Sequence, residues 1–355
     1  MNAATYLPNN YDVFIGIDVD KRSFSFTAQD HGIMSRSKKI PSSPEQMYNY
    51  IRNNFSDRRV LCAYEAGPTG YNLYDYLIQK EQPCVMVSPA SVPKASNERV
   101  KNNRLDSERI ARYLKSGELK PIRVPSEPYR ELRQLIGLRQ NYSRQGTIAK
   151  QRIKALLLFE HIDDNVSDAA EHWSNIYIKR LRALQCPAVI RCKLDMLLAD
   201  MDYARAQLLQ VIKQLKLLCV THPEIDSYRR YLQSIPGIGF ATALTILARI
   251  GDPQYLADVR QIGAFTGLVP KENSTGDTVR HGSITHLGNS ELRKLLIEAS
   301  WVAIRHDTEL CQFYHRIKSR HHPAAAAKKA IVAVARKLTQ RIYTVLKERR
   351  MYKIR

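Results

Sequence analysis

The stretch Phe14-Ile15-Gly16-Ile17-Asp18-Val19-Asp20 is an apolar run that closes on acids, and Phe24, Phe26 and Ala28 follow it at alternate positions. Such a run reads as a buried strand that carries a carboxylate to its end, with the next strand returning beside it. A second run, Val60-Leu61-Cys62-Ala63-Tyr64, also ends on an acid, Glu65. A third acid, Asp106, heads the helical pattern from Ser107 to Leu114. If the three segments serve one sheet, three carboxylates meet at one edge of it. Carboxylate oxygens suit the hard cation Mg2+, which keeps several waters and bridges to phosphate oxygens, so such an edge points to phosphodiester chemistry. Asp18 and Asp20 are equally the residues that open a turn, and spacing alone leaves both readings standing.

At 355 residues the chain has room for two or three domains, and 44% hydrophobic residues is the content of a globular protein. No apolar run reaches the roughly 18 residues that span a membrane. The opening residues Met1 to Tyr6 lack the basic and apolar regions of a signal peptide, so the expected location is the cytoplasm, on the nucleoid when bound, with no membrane partner. Six cysteines form no CxxC pair, which argues against a zinc site and against a disulfide framework.

Charge is unevenly placed. The chain carries a net +21; residues 1–125 account for +5, whereas residues 311–355 hold 13 basic side chains and one acidic, a net of +12. A surface of this sign attracts phosphate backbones through counterion release, and nucleic acid is the expected partner. Candidate contacts in this segment are Lys328, Lys329, Arg336 and Lys337.

Residues 11–40 read as three short antiparallel strands, Val13 to Val19, Ser23 to Ala28 and Ile33 to Ile40. A helix over Pro44 to Asn54, a strand over Val60 to Tyr64, a helix over Tyr71 to Lys80 and a strand at Val85 to Val87 follow. This order predicts an α/β core with a mixed sheet. Ser88 to Asn103 reads as a basic surface loop near the carboxylates, where Lys94, Arg99, Lys101 and the neighbouring Arg104 suit a phosphate-bearing substrate.

Beyond Pro125 the pattern is helical. Residues 127–158 show one helix; Leu194, Leu197, Met201, Ala204, Leu208, Val211, Leu215 and Leu218 form a heptad seam. Between them, roughly His161 to Pro187, the chain is polar and irregular, so the helices either fold back on each other or pair with another subunit. Pro236-Gly237-Ile238-Gly239 before the helix Phe240 to Ile250 is either a helix-hairpin-helix turn, with Gly237 and Gly239 opening the backbone to a phosphate, or a tight turn that packs two helices. Further on, Gly288-Asn289-Ser290 precedes a helix from Glu291 to Arg305. Either Asn289 or Ser290 caps that helix, or Ser290 is a nucleophilic hydroxyl whose phosphoester is held by helix N–H groups and by Arg280, Arg293 or Lys294.

Three N-terminal motifs, Gly16-Ile17-Asp18-Val19-Asp20-Lys21, Tyr64-Glu65-Ala66-Gly67-Pro68-Thr69-Gly70 and Lys101-Asn102-Asn103-Arg104-Leu105-Asp106-Ser107, stand in order with three C-terminal ones, Pro236-Gly237-Ile238-Gly239, Phe265-Thr266-Gly267-Leu268-Val269-Pro270 and Gly288-Asn289-Ser290-Glu291-Leu292-Arg293. In order and spacing the chain resembles the DEDD transposases of insertion sequences, relatives of the Piv-type invertases that include the bridge-RNA-guided recombinases. The resemblance implies a RuvC-like RNase H-fold domain over 1–125, a helical coiled-coil spacer over 126–225 and a mainly helical transposase domain over 226–355. It places Asp18, Glu65 and Asp106 on the first, second and fourth acids of a tetrad that holds Mg2+ or Mn2+. Asn103 stands at the third, one charge short. It places Ser290 on the serine that forms a covalent phosphoserine link to DNA. It further implies target and donor DNA and an element-encoded bridge RNA as partners, and a homo-oligomer, dimer or tetramer, whose sites combine halves of different subunits. The alternatives are a RuvC-like metal-dependent nuclease or resolvase without a covalent intermediate, and a catalytically impaired nucleic-acid-binding protein.

Overall fold

The structure, a computed structural model, describes residues 6–30, 33–92, 103–162, 173–272, 281–285 and 287–354. It divides into two compact units, Met1–Val124 and Pro125–Arg355. Among the described residues no helix is long and apolar enough to cross a membrane.

The first unit is built on a mixed sheet. β1 (Val13–Val19) turns at Asp20, whose carboxylate accepts the Lys21 N–H at 2.6 Å, into antiparallel β2 (Ser23–Asp30). The single strand expected over Ile33 to Ile40 is instead two, β3 (Ile33–Met34) and β4 (Lys38–Pro41), both paired with β2. Ser35 interrupts it: its N–H donates to the Ala28 carbonyl at 2.8 Å and its hydroxyl accepts the Ala28 N–H at 3.0 Å, so a side chain takes a backbone place in the ladder. α1 (Pro44–Phe55), capped by the Ser43 hydroxyl, leads to β5 (Val60–Glu65), α2 (Asn72–Gln79), β6 (Cys84–Val87), α3 (Asn103–Ser116) and β7 (Pro121–Ile122). The sheet order is β3-β2-β1-β5-β6-β7; β1, β5 and β6 are parallel, and β2 and β7 run against them.

Strand parity divides the core into two layers. Val13, Ile15 and Ile17 of β1, with Cys62 and Tyr64 of β5, pack on Met47 and Ile51 of α1 and Leu73 and Leu77 of α2. The alternate residues Phe14, Leu61 and Ala63 pack on Ile110 and Leu114 of α3. α3 comes down on β1 at Gly16, where a Cβ would stand 2.2 Å from the Ser107 carbonyl oxygen and 2.4 Å from the Ala111 nitrogen. Beside it the buried hydroxyls of Thr27 and Ser107 share a hydrogen bond of 2.9 Å, tying α3 to β2.

In the second unit, α4 (Glu127–Phe159), α5 (Asn175–Ala183) and α6 (Ala188–Thr221) come first. Leu132 and Ile136 near the start of α4 share a core with Leu215 and Leu218 near the end of α6. Ile153 and Leu156 near the end of α4 share another with Leu194 and Leu197 near the start of α6. The two helices are therefore antiparallel, and the heptad seam closes within the chain; of its residues only Leu208 is not fully buried. The stretch expected to be irregular contains α5, capped by Ser174, with Tyr177, Ile178 and Leu181 buried among Lys179, Arg180 and Arg182.

α7 (Pro223–Gln233), α8 (Phe240–Ile250), α9 (Val259–Thr266), the hairpin β8 (Pro270–Glu272) and β9 (His281–Ile284), α10 (Ser290–His306), α11 (Thr308–Lys318) and α12 (Pro323–Lys347) complete this unit. Their core is continuous with Tyr129 and Leu132 of α4 and Val211 of α6, so the residues read as spacer and those after them share one core. α12 is central to it. Ala330, Val334, Ala335, Leu338 and Ile342 form a buried stripe at helical spacing, which leaves the basic residues on the opposite face. Lys337, at 2.5 Å, and Arg341 both reach Glu309 of α11, and hydrogen bonds from these two cations hold the Glu309 carboxyl down at about 2.

Two outcomes follow from this packing. Gly16→Ala forces a methyl against immovable backbone and should lower stability by about 1–3 kcal/mol, read by urea unfolding. Glu309 has a folded pKa below its ordinary 4.5, so its contribution is complete above that pH and is lost as pH falls toward about 2. Parent and Glu309→Gln should therefore differ most in melting temperature near neutrality and converge as the solution is acidified through this window.

Candidate active site

Two of the three acids occupy one sheet edge. Asp18 follows Ile17 near the end of β1, Glu65 follows Tyr64 at the end of β5, and Ile17 pairs with Tyr64 in the parallel register. Parity turns both carboxylates to the face that α3 covers, because Gly16 and Ala63, two residues before them, face α3. Asp106 lies in the first turn of α3, on that same face, one residue before the Ser107 carbonyl that meets Gly16.

There Asp106 accepts from Arg109 at 3.1 Å, an i,i+3 pair within its own helix whose side chains are only 23% and 12% exposed. Among the described residues no group of three or more His, Cys, Asp or Glu comes together closely enough to hold a metal ion. Asp18 and Glu65, two hard donors at one edge, suit a Mg2+ ion that takes one or two protein carboxylates and completes its shell with water and phosphate oxygens. Asp106 is ion-paired with Arg109. Asn103 is the first residue of α3, and its side chain lies outside the described residues.

The serine segment is held by a backbone clasp. Asn289 is the N-cap of α10: its side chain accepts the Leu292 N–H at 3.0 Å. Ser290 is the first helical residue and is exposed, so its hydroxyl is not consumed by capping. The Asn289 N–H donates to the Phe265 carbonyl at 2.8 Å, and Arg293 Nη1 donates to the Thr266 carbonyl at 2.9 Å. Gly267, in the left-handed region at φ 65°, touches the Leu287 carbonyl, where a Cβ would come within 2.0 Å of the oxygen; at Gly288, with φ 103°, a Cβ would stand 2.4 Å from the Phe265 carbonyl oxygen. Phe265-Thr266-Gly267 and Leu287-Gly288-Asn289, read as separate motifs in the sequence, are two sides of one joint. Glu291, next to the serine, accepts from Arg249 of α8 at 3.0 Å and from Gln140 of α4, which ties the start of α10 to two further helices.

The expected nucleic-acid contacts separate into groups. Lys94, Arg99, Lys101 and Arg280 lie outside the described residues. Lys294 is exposed one turn beyond Ser290, at i+4 and so on the same helix face. Arg293, by contrast, is engaged with the Thr266 carbonyl. Arg104 is exposed and pairs with Glu108 at 3.3 Å. Gly237, at φ 87°, packs against α10, where a Cβ would stand 2.2 Å from the Ala299 carbonyl oxygen; this close approach accounts for the glycine without a phosphate. Gly239 is the N-cap of α8 with open space around it. On α12, Lys328, Lys329 and Arg336 are exposed, whereas Lys337 is engaged with Glu309 and lies over the Phe313 ring. The sequence reading missed Arg109 and the Gln140–Arg249–Glu291 cluster. The first was available as an i,i+3 spacing from Asp106; the second joins residues from three helices and leaves no local signal.

Comparison with known proteins agrees with this geometry. A transposase family profile of the DEDD, IS110 type matches residues 15–162, and the Transposase IS116/IS110/IS902 family profile matches residues 229–315. The chain is 25% identical over 336 residues to the transposase for insertion sequence element IS1328 of Yersinia enterocolitica, covering 93% of this chain and 96% of that one. It is 24% identical over 360 residues to the pilin gene-inverting protein of Moraxella bovis, covering 96% and 97%. With the transposase for insertion sequence element IS1111A of Coxiella burnetii it shares 24% identity over 305 residues, 82% of this chain and 78% of that one. The chain belongs to the IS110-type DEDD transposases, enzymes that cut DNA and exchange its strands.

Proposed function

We propose that this transposase cuts and rejoins DNA through Ser290, with the acids of the first unit acting on the phosphate. The observation that carries the reading is the exposed Ser290 hydroxyl at the first position of α10, left unused because Asn289 caps the helix. A phosphate at that position would meet the free N–H groups and positive end of a 17-residue helix, with the Lys294 ammonium on the same face. In the cutting step the Ser290 oxygen bonds to phosphorus and its proton leaves. The bond from phosphorus to one deoxyribose oxygen breaks, and that oxygen leaves as a hydroxyl after gaining a proton. The energy of the diester is kept in the protein–DNA ester, and a deoxyribose hydroxyl of the new strand reverses the step.

Asp18 and Glu65 would hold a divalent cation, with Asp106 joining them once it leaves Arg109 and Asn103 as a neutral fourth donor. Mg2+ or Mn2+ bound there would offset negative charge on the phosphate oxygens. The substrate is double-stranded DNA at target and donor sites, in keeping with named relatives that are transposases of insertion sequences and a pilin gene-inverting protein. An element-encoded bridge RNA as guide, a homo-oligomeric working form and the three-part division at 125 and 225 belong to the same reading and rest on the resemblance set out above.

Purified protein, element-derived RNA and labelled target and donor DNA are incubated with Mg2+ and run on denaturing gels with and without protease. The parent should give a slow, protease-sensitive DNA species, and Ser290→Ala should lower its yield by roughly a thousandfold or more. Cleavage that persists in Ser290→Ala with no protein-linked DNA would identify a nuclease that uses water. Asp18→Asn should reduce cleavage about a hundredfold while leaving duplex binding, measured by filter retention, within twofold of the parent.

A further inference from the structure

A cleft of about 530 Å3 opens between α4, α5 and α6. Local sequence creates it. Gly146 of α4 presents no side chain to α6, and the nearest atom to a Cβ built there is Ala204 Cβ at 3.7 Å. Leu208, one turn beyond Ala204 and the only seam residue not fully buried, faces the gap. A heptad seam that ran without a glycine opposite would have closed over this point.

The lining has a definite chemistry. Its two charged side chains among the described residues are both cations, Lys150 and Arg205, and no Asp or Glu contributes. Two aromatic rings, Tyr142 and Trp173, form walls, each held by an edge-on neighbour: Tyr142 against Tyr203 at 6.3 Å and Trp173 against Tyr177 at 5.3 Å. Lys150 Nζ sits 5.4 Å from the centre of the Trp173 ring, and Arg205 Nη1 donates to Asn175 Oδ1 at 3.5 Å. Anchored aromatic faces beside two cations, in a volume within the ordinary range for small-ligand sites, match a planar base bearing a phosphate.

The geometry points to this cleft as a binding site for an unpaired nucleotide of a nucleic-acid strand, the base taking the Trp173 face over which Lys150 Nζ lies and the ammonium moving onto the backbone phosphate beside Arg205. A strand fits better than a free nucleotide because positive charge continues beyond the cleft on α4, with Lys154 exposed four residues past Lys150 on the same helix face. The site is remote in sequence from the serine segment and does not depend on how Ser290 acts.

The chain has two tryptophans, so Trp301→Phe leaves Trp173 as a single reporter in the full-length protein. A short single-stranded oligonucleotide should quench its fluorescence. Gly146→Leu, which fills the cleft, and Lys150→Glu, which reverses its charge, should each weaken that binding by about tenfold, some 1.4 kcal/mol, with duplex binding unchanged. Gly146→Leu also removes a glycine from a helix interior, so a circular dichroism spectrum and melting temperature matching the parent establish that it folds. Quenching by AMP at the same concentration as strong as that by the oligonucleotide would give the cleft to free nucleotides and overturn the strand assignment. No quenching, or unchanged affinity in both folded variants, would overturn the site itself.

Discussion

The clasp between Phe265–Gly267 and Leu287–Asn289 is the contact on which the serine site depends. Two backbone segments approach to a separation that admits no Cβ at Gly267 or at Gly288. The Asn289 N–H and the Arg293 guanidinium then fasten the start of α10 to the end of α9. Without it Ser290 would sit at the end of a loop. With it, the hydroxyl stands at a helix N-terminus whose first polar obligations are met by Asn289, and the rest of the unit supports that position: Arg249 and Gln140 hold Glu291, and Gly237 lets the turn before α8 touch α10.

The same device organises the first unit. Gly16 allows α3 to lie directly on β1, and the Thr27–Ser107 hydrogen bond fixes it there. This placement brings the start of α3 to the face on which Asp18 and Glu65 stand. The acids thus share one face of the sheet through strand parity and one glycine, and not through a loop. Arg109 pairs with Asp106 within α3 and so sets an opposite charge beside the acid of that helix.

Much of this was legible in the sequence because it is carried by local pattern. The apolar runs ending at Asp18 and Glu65 gave the strands and their common edge, and the alternation of three and four from Leu194 to Leu218 gave α6. What escaped was set by contacts distant along the chain. Ser35 splits a strand by hydrogen-bonding to Ala28, and α5 hides its apolar face among cations. The basic C-terminal segment was read for its charge, yet the apolar stripe of α12 that contains Ala330 and Val334 makes it a core helix as well. Gly237 fits a phosphate-facing hairpin and a packing turn equally well in the sequence; that Ala299 presses on it required the fold.

The central claim concerns one hydroxyl, and mass spectrometry of the trapped protein–DNA species tests it most directly. After digestion with nuclease and trypsin, the peptide between Arg280 and Arg293 should carry the mass of a nucleotide, with fragmentation placing it on Ser290. An unmodified peptide alongside cut DNA, or a nucleotide on any other residue, would contradict the account.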